Sequence, residues 1–176
     1  MAATRQSWPN LKPLPEQRAQ LFLNRQFTQD EYDLIGEGLI PEAMEDKWFI
    51  FLEDDVVYLH RSWTGFCIYQ VSLAKDGANY AVAKAFVNRE PNQYAATDDR
   101  YDEKLLTFLI DNFLLGKSSL FPVPAGVATG IATGLYHHQV AGVGPKAREK
   151  TTTVTVRSSL SWLWAWIKWL IKGLKP

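Results

Sequence analysis

The pattern of apolar and polar positions in the middle of the chain predicts a β-meander. Four segments rich in aromatic and β-branched residues follow one another at residues 48–53, 56–61, 65–73 and 79–88. In the third segment, the odd-numbered residues from 67 to 73 share one face and the even-numbered residues share the other. Short acidic or glycine-containing turns separate the first pair and the last pair of strands.

Two helices are predicted before the meander. The first opens at the Pro-Leu-Pro of residues 13–15 and runs to about residue 26. The second follows Thr28, because Thr28 and Glu31 have the spacing of a capping box, in which each side chain satisfies the backbone N–H of the other residue. This second helix is expected to end near Gly38.

Two further helices are predicted after the meander. The first starts at Asp98 and Asp99, carries a wide apolar face that would cover the sheet, and ends at Gly116 as its C′ residue. The uncharged stretch from 118 to 144 then repeats glycine every four residues at 126, 130 and 134. We predict a helix at about 125–141 packed on the sheet or on the preceding helix. A membrane segment and a glycine-rich loop are the alternatives.

Together these elements predict an α+β fold: a four-stranded antiparallel β-meander packed with helices, plus a C-terminal amphipathic helix. Residues 1–145 form the α+β domain in this interpretation. Residues 146–159 are a basic, Thr-rich linker or edge strand, and residues 160–175 form the terminal helix. A chain of 176 residues is long enough for one such domain with a substantial core.

The formal net charge of zero conceals an uneven distribution. Residues 1–145 hold 12 Lys and Arg against 18 Asp and Glu, whereas residues 146–176 hold 7 Lys and Arg against a single Glu. A basic tail on an acidic body is expected to seek anionic surfaces or the body itself. The single cysteine, Cys67, excludes an internal disulfide, and residues 1–10 lack the apolar run of a secretory signal. We therefore expect a cytoplasmic protein, with attachment to the inner face of the membrane as an option.

The tail predicts a contact surface. On a helical wheel its lysines share a narrow stripe, and tryptophan and leucine occupy much of the remainder. This pattern is typical of a helix lying in the membrane interface, and equally of one docked on a partner protein, on a sister chain or on the body. Three lysines on a stripe give few phosphate contacts, so nucleic acid is not expected as a partner. The predicted contact residues are Trp162, Trp164, Trp166, Lys168, Trp169, Lys172 and Lys175.

The block Met-Glu-Asp-Lys-Trp-Phe-Ile at 44–50, with Tyr-Leu-His-Arg-Ser-Trp-Thr-Gly-Phe-Cys-Ile-Tyr at 58–69, resembles a family of small bacterial proteins of uncharacterised function. The segments at 87–91 and 97–102 belong to the same pattern. The resemblance covers roughly residues 28–116 and implies common descent. It brings no activity with it, and the chain from Lys146 onward lies outside the pattern.

This block also contains the candidate ligand site. Backbone amides of a turn, two hydroxyls and an arginine fork suit a phosphate or carboxylate, and Trp63 or Trp48 suits stacking on a base or sugar. In the alternative structural interpretation, Arg61 pairs with Glu45, Asp46 or Glu53, and the tryptophans fill the core. The candidate ligand-binding residues are Lys47, His60, Arg61, Ser62, Trp63 and Thr64.

The motifs GxxxxGK[ST], GxGxxG, CxxC and HExxH are absent from the sequence, and an oxygen-ligand cation site at the acidic clusters of residues 53–55 and 98–103 is the alternative to a solvated turn and a helix start. His60 is a candidate base and Ser62 a candidate hydroxyl on the same face, but no nucleophile elbow accompanies Ser62, so the sequence leaves enzymatic activity undecided. His137 and His138 are adjacent and would diverge by about 100° on a helix, which does not suit a shared metal. We expect no cofactor and no metal.

Two functions of different classes follow. The leading interpretation is a non-catalytic interaction module, attached through its C-terminal helix to a membrane surface or a protein partner, with self-association as a further option. The alternative is a protein, including an enzyme, that binds a small phosphate- or nucleotide-like anion at the 60–65 hairpin.

Overall fold

The computed structural model describes residues 1–123 and 131–142. Within these residues the fold is α+β, built on one antiparallel sheet with strand order β1-β6-β5-β4-β3, and with β2 also paired to β6. The strands are β1 Arg18–Leu21, β2 Gln26–Phe27, β3 Trp48–Glu53, β4 Val56–Arg61, β5 Cys67–Asp76 and β6 Asn79–Asn88. The helices are a 3₁₀ turn Arg5–Ser7, α1 Gln29–Glu37, α2 Asp99–Leu109 with a π-helical extension Ile110–Leu114, and α3 Ile131–Val140.

The predicted meander is confirmed. Strands β3 to β6 pair antiparallel in chain order, with β3 and β4 joined through the Glu53–Val56 pair. Both residues of that turn, Asp54 and Asp55, have positive φ angles of 51° and 57°. This left-handed pair matches the right-handed twist of the strands that it joins.

The predicted first helix over residues 13–26 is wrong. Arg18–Leu21 and Gln26–Phe27 are strands, and both pair with β6, so the sheet has six described strands instead of four. Without them one side of β6 would present a row of unpaired backbone N–H and C=O groups. Pairing with this edge overrides the local helical preference of the segment.

The capping box predicted for α1 is present. The Thr28 side chain accepts from the Glu31 N–H at 3.2 Å, and the Glu31 carboxylate accepts from the Thr28 N–H at 3.0 Å. The helix ends at Gly38, where φ is 64°. The prediction for α2 also holds at both ends, because Asp98 caps its first turn and Gly116 has a φ of 61° after the π-helical extension.

Each face of the sheet packs into its own hydrophobic core. The larger core joins one face of the sheet to α1 and α2 and includes the fully buried Trp48, Leu59, Tyr69 and Leu105. The smaller core lies on the other face, where Phe49, Phe51 and Ala3 are buried against the N-terminal segment. Adjacent residues of a strand therefore point into different environments.

The helix predicted at about 125–141 is found at Ile131–Val140. Gly134 has no described atom within 4 Å of the position that a Cβ would take, so at this residue the predicted close approach of another backbone is not observed. Gly126, Gly130, the linker and the tail lie outside the described residues. None of the described helices is long and apolar enough to cross a membrane.

Candidate functional site

The loop between β4 and β5 is held in place by backbone contacts on both sides. Gly65 donates to the Arg61 carbonyl at 2.9 Å, and its own carbonyl accepts from the Lys12 N–H at 2.9 Å. The φ of Gly65 is 71°, and a Cβ there would lie 2.1 Å from the Asn10 carbonyl oxygen. Only glycine fits this position without displacing the N-terminal segment.

Two predicted site residues in this loop bond to the strand entry at residues 44–47. The Ser62 hydroxyl donates to the Asp46 carbonyl at 2.6 Å, so it has a structural partner. The Trp63 indole N–H donates to the Met44 carbonyl at 3.0 Å, although the residue is 67% exposed. Trp63 is thus an exposed aromatic ring whose position is fixed by a hydrogen bond.

Arg61 and Trp48 attach the end of helix α3 to the sheet. The Arg61 guanidinium and the Trp48 indole N–H both donate to the Val140 carbonyl, at 2.7 and 3.1 Å. The Arg61 guanidinium carbon also lies 4.2 Å from the Trp48 ring centroid, a cation–π geometry. A cation at this end of a helix is favourable because the terminal carbonyls carry partial negative charge. Glu53, one of the carboxylates predicted to pair with Arg61, pairs instead with Arg5.

A cleft of about 730 Å³ opens beside this attachment. Its volume is within the range of small-molecule sites. The described residues that line it include two cations, a histidine, neutral hydrogen-bonding groups and two aromatic rings, but no carboxylate. They are Lys47, Arg61, Trp63, Thr64, Phe66, Asn92, Gln93, His138 and Gln139.

A lysine ammonium group lies above each of the two aromatic rings of the cleft. The Lys47 ammonium lies 5.3 Å from the Trp63 ring centroid, and the Lys12 ammonium lies 4.3 Å from the Phe66 ring centroid. Walls of one sign raise the local concentration of ligands of the opposite sign. The arrangement therefore suits an anion that also carries a flat, apolar group.

His60 lies on the opposite face of the sheet from the cleft. It is buried, its Nδ1 is 2.9 Å from the Gly65 carbonyl oxygen, and its ring stacks on Phe51. Its Nε2 has no hydrogen-bond partner among the described residues. Four of the six predicted residues line the cleft, whereas His60 and Ser62 do not. Alternation along β4 separates His60 from Arg61, and the Ser62 hydroxyl is used by the backbone of Asp46.

Burial gives His60 a pH-dependent effect on stability. Desolvation lowers the pKa of His60, the hydrogen bond to the Gly65 carbonyl opposes this with a smaller increase, and the charge of Arg5 adds a still smaller decrease. The unfolded chain then binds a proton near pH 6.5 that the folded protein binds only at lower pH, so stability falls as the pH drops below about 6.5. Urea unfolding between pH 7 and 5 should show this decline in the wild type and a weaker one in His60→Phe. His138→Gln, at an exposed histidine, is the control and should keep the wild-type decline. An equal decline in His60→Phe would contradict the assignment.

A buried carboxylate supports one wall of the cleft. Asp102 is fully buried, accepts hydrogen bonds from the Tyr69 and Tyr94 hydroxyls at 2.7 and 2.5 Å, and forms an ion pair with Arg89 at 2.7 Å. Burial, reinforced by the charge of Asp102, raises the pKa values of Tyr69 and Tyr94, so both hydroxyls remain donors. Tyr94 directly follows the cleft residues Asn92 and Gln93.

The sequence pattern predicts only that a helix starts at Asp98 and Asp99, so the role of Asp102 in this network was missed. Its spacing does contain a clue. Asp102 precedes Leu105 by three residues and Leu109 by seven, which places it on the apolar face of α2. The cleft residues contributed by α3 and by the 92–93 turn could not be recognised in this way, because they are distant in sequence from the hairpin. Within residues 1–123 and 131–142, no group of three His, Cys, Asp or Glu is placed to hold a metal ion.

Comparison with known proteins yields no relative: no protein-family model, curated protein or solved structure matches the chain. The resemblance to small bacterial proteins stays a prediction.

Proposed function

We propose that the protein binds a small anionic ligand with a flat aromatic group, of the mononucleotide type, in the cleft between the β4–β5 loop and the end of α3. One observation carries the proposal: the walls combine Lys47, Arg61 and two aromatic rings, with no carboxylate among the described residues that line the cleft. Charge-assisted hydrogen bonds to a phosphate are stronger than neutral ones. An anion is therefore the ligand that these walls favour.

The two ends of such a ligand fit different parts of the cleft. Lys47 supplies a mobile cation for the phosphate, and Gln93 and Gln139 add neutral donors. Trp63 presents an exposed ring that is already held by its bond to Met44, so stacking on it requires little further ordering. A ligand that engages both parts should bind more tightly than either of its halves alone.

Isothermal titration with AMP, adenosine and inorganic phosphate tests this proposal. AMP should bind at least about tenfold more tightly than either half, which corresponds to about 1.4 kcal/mol. Lys47→Ala should weaken AMP binding by about tenfold or more, because it removes one charge-assisted contact worth about 1.5–3 kcal/mol, and should change adenosine binding little. Trp63→Ala should weaken AMP and adenosine together.

Lys84→Ala provides the matched control, since Lys84 is exposed on β6 and does not line the cleft. Its AMP affinity should equal that of the wild type. Absence of binding of AMP, GMP, CMP and UMP at millimolar concentration would contradict the proposal. A loss of affinity in Lys84→Ala equal to that in Lys47→Ala would contradict it as well.

A second proposal concerns the tail and rests on the sequence, because residues 160–175 lie outside the described residues. Four of the seven tryptophans fall in this segment, beside a stripe of lysines. We propose that it attaches a cytoplasmic body to the inner face of the membrane or to a protein partner. Co-sedimentation with anionic vesicles should fall strongly when the chain is ended after Arg157. Equal co-sedimentation of both forms would exclude the membrane and leave the partner.

A further inference from the structure

We propose that occupancy of the cleft and docking of helix α3 on the sheet are thermodynamically coupled. An anion that touches both walls would hold α3 in place, and release of α3 would remove the ligand. The inference rests on the proposed function, since it needs a ligand in the cleft. Ligand binding in the cleft then controls the docking of α3, the helix that precedes the basic tail in the sequence.

The described contacts that dock α3 on the sheet lie at its C-terminal end, while His137 of the same helix packs against Phe108 and Phe121. Val140 accepts from both Arg61 and Trp48, and Gly142 pairs with Asp46 in an antiparallel bridge. Gly142 has a φ of 77°, and a Cβ there would lie 2.3 Å from the Glu45 carbonyl oxygen. The docked position therefore depends on one short segment whose approach to the sheet requires glycine.

The same short segment builds one wall of the cleft. His138 and Gln139 line it and directly precede Val140, while Lys47 and Trp63 line it from the strand entry and the β4–β5 loop. Arg61 belongs to both structures, because it lines the cleft and donates to the Val140 carbonyl. When the Val140–Gly142 segment leaves the sheet, the cleft loses a wall and Arg61 loses this acceptor.

Linkage then determines the direction of the effect. A ligand that binds only the docked form shifts the docking equilibrium by a factor of one plus the ratio of ligand concentration to Kd, or about 100-fold at 100 times Kd. The relation is reciprocal, so a change that disfavours docking weakens the ligand in proportion to the fall in the docked fraction. Ligand affinity and the protection of the α3 amides from hydrogen exchange therefore report the same docking equilibrium.

Hydrogen exchange of the full chain with AMP as the probe tests this coupling. The amides of residues 131–137 precede the cleft-lining residues of α3, so slower exchange there reports docking of the helix rather than contact with AMP. At 100 times the Kd measured by titration, their exchange should slow at least tenfold. The amides of α1, which contributes no residue to the cleft, should stay unchanged.

Gly142→Ala tests the reciprocal effect. The variant should speed exchange in α3 and weaken AMP at least tenfold. Gly77→Ala is the matched control, because Gly77 has a similar φ of 62° but no atom within 4 Å of the Cβ position. Its AMP affinity should not change. If AMP binds the wild type while α3 exchange and the Gly142→Ala affinity stay as before, the coupling is wrong and the proposed function stands. If AMP and the other mononucleotides fail to bind the wild type, both are overturned.

Discussion

Replacement of Asp102 with alanine should destabilise the protein by about 3–5 kcal/mol, the cost of removing one partner of a buried ion pair. The carboxylate is fully buried and is the common partner of Arg89, Tyr69 and Tyr94. Its removal leaves the Tyr69 and Tyr94 hydroxyls with only each other as hydrogen-bond partners, and Arg89 without its buried counter-charge. Urea unfolding at pH 7 measures the loss directly.

Asp99→Ala is the matched control for this prediction. Asp99 is the other carboxylate paired with Arg89, but its side chain is 55% exposed. Exposed ion pairs contribute about 0–1 kcal/mol, so this variant should unfold almost as the wild type does. Similar losses in both variants would show that the hydroxyl network around Asp102 contributes little.

Arg61→Met should destabilise the protein by about 2–3 kcal/mol and weaken AMP more than tenfold. The substitution removes a charged donor to the Val140 carbonyl, worth about 1.5–3 kcal/mol, and the cation–π contact with Trp48. Methionine keeps much of the apolar stem, so the loss reports the guanidinium more than the packing. Urea unfolding and titration measure the two effects separately.

Two further variants serve as comparisons for Arg61→Met. Arg100→Met, at an exposed position on α2, should change the free energy of unfolding by no more than about 0.5 kcal/mol. Arg61→Lys keeps the charge but loses the planar fork, so it should recover part of the AMP affinity and little of the contact with Trp48. Wild-type stability in Arg61→Met would contradict the role of Arg61 in docking α3.

Features determined by neighbouring residues could be predicted from the sequence. The capping box of α1 needs only Thr28 and Glu31, and the β3–β4 hairpin needs only a two-residue turn between two apolar strands. The strand pairings of β1 and β2 could not be predicted in this way. Arg18 pairs with Asn88 across a long stretch of chain, so the partner that makes residues 18–21 a strand is invisible in their local pattern.

The candidate site, like the fold, could be predicted only where neighbouring residues determine it. Lys47, Arg61, Trp63 and Thr64 line the cleft because the strand entry and the β4–β5 loop lie side by side. To predict the role of His60, one would have to know which residues of β4 face the cleft. Both faces of β4 are buried, so no alternation of apolar and polar residues distinguishes them in the sequence. The wall contributed by α3 depends on the hydrogen bond between Arg61 and Val140, which are 79 residues apart in the sequence.

The most direct test of the anion-binding cleft is a crystal structure of the full chain with AMP. A phosphate oxygen should lie within about 2.7–3.2 Å of the Lys47 ammonium, and the base should stack on the Trp63 indole. AMP bound elsewhere on the protein, or an empty cleft at an AMP concentration that saturates binding in solution, would contradict it.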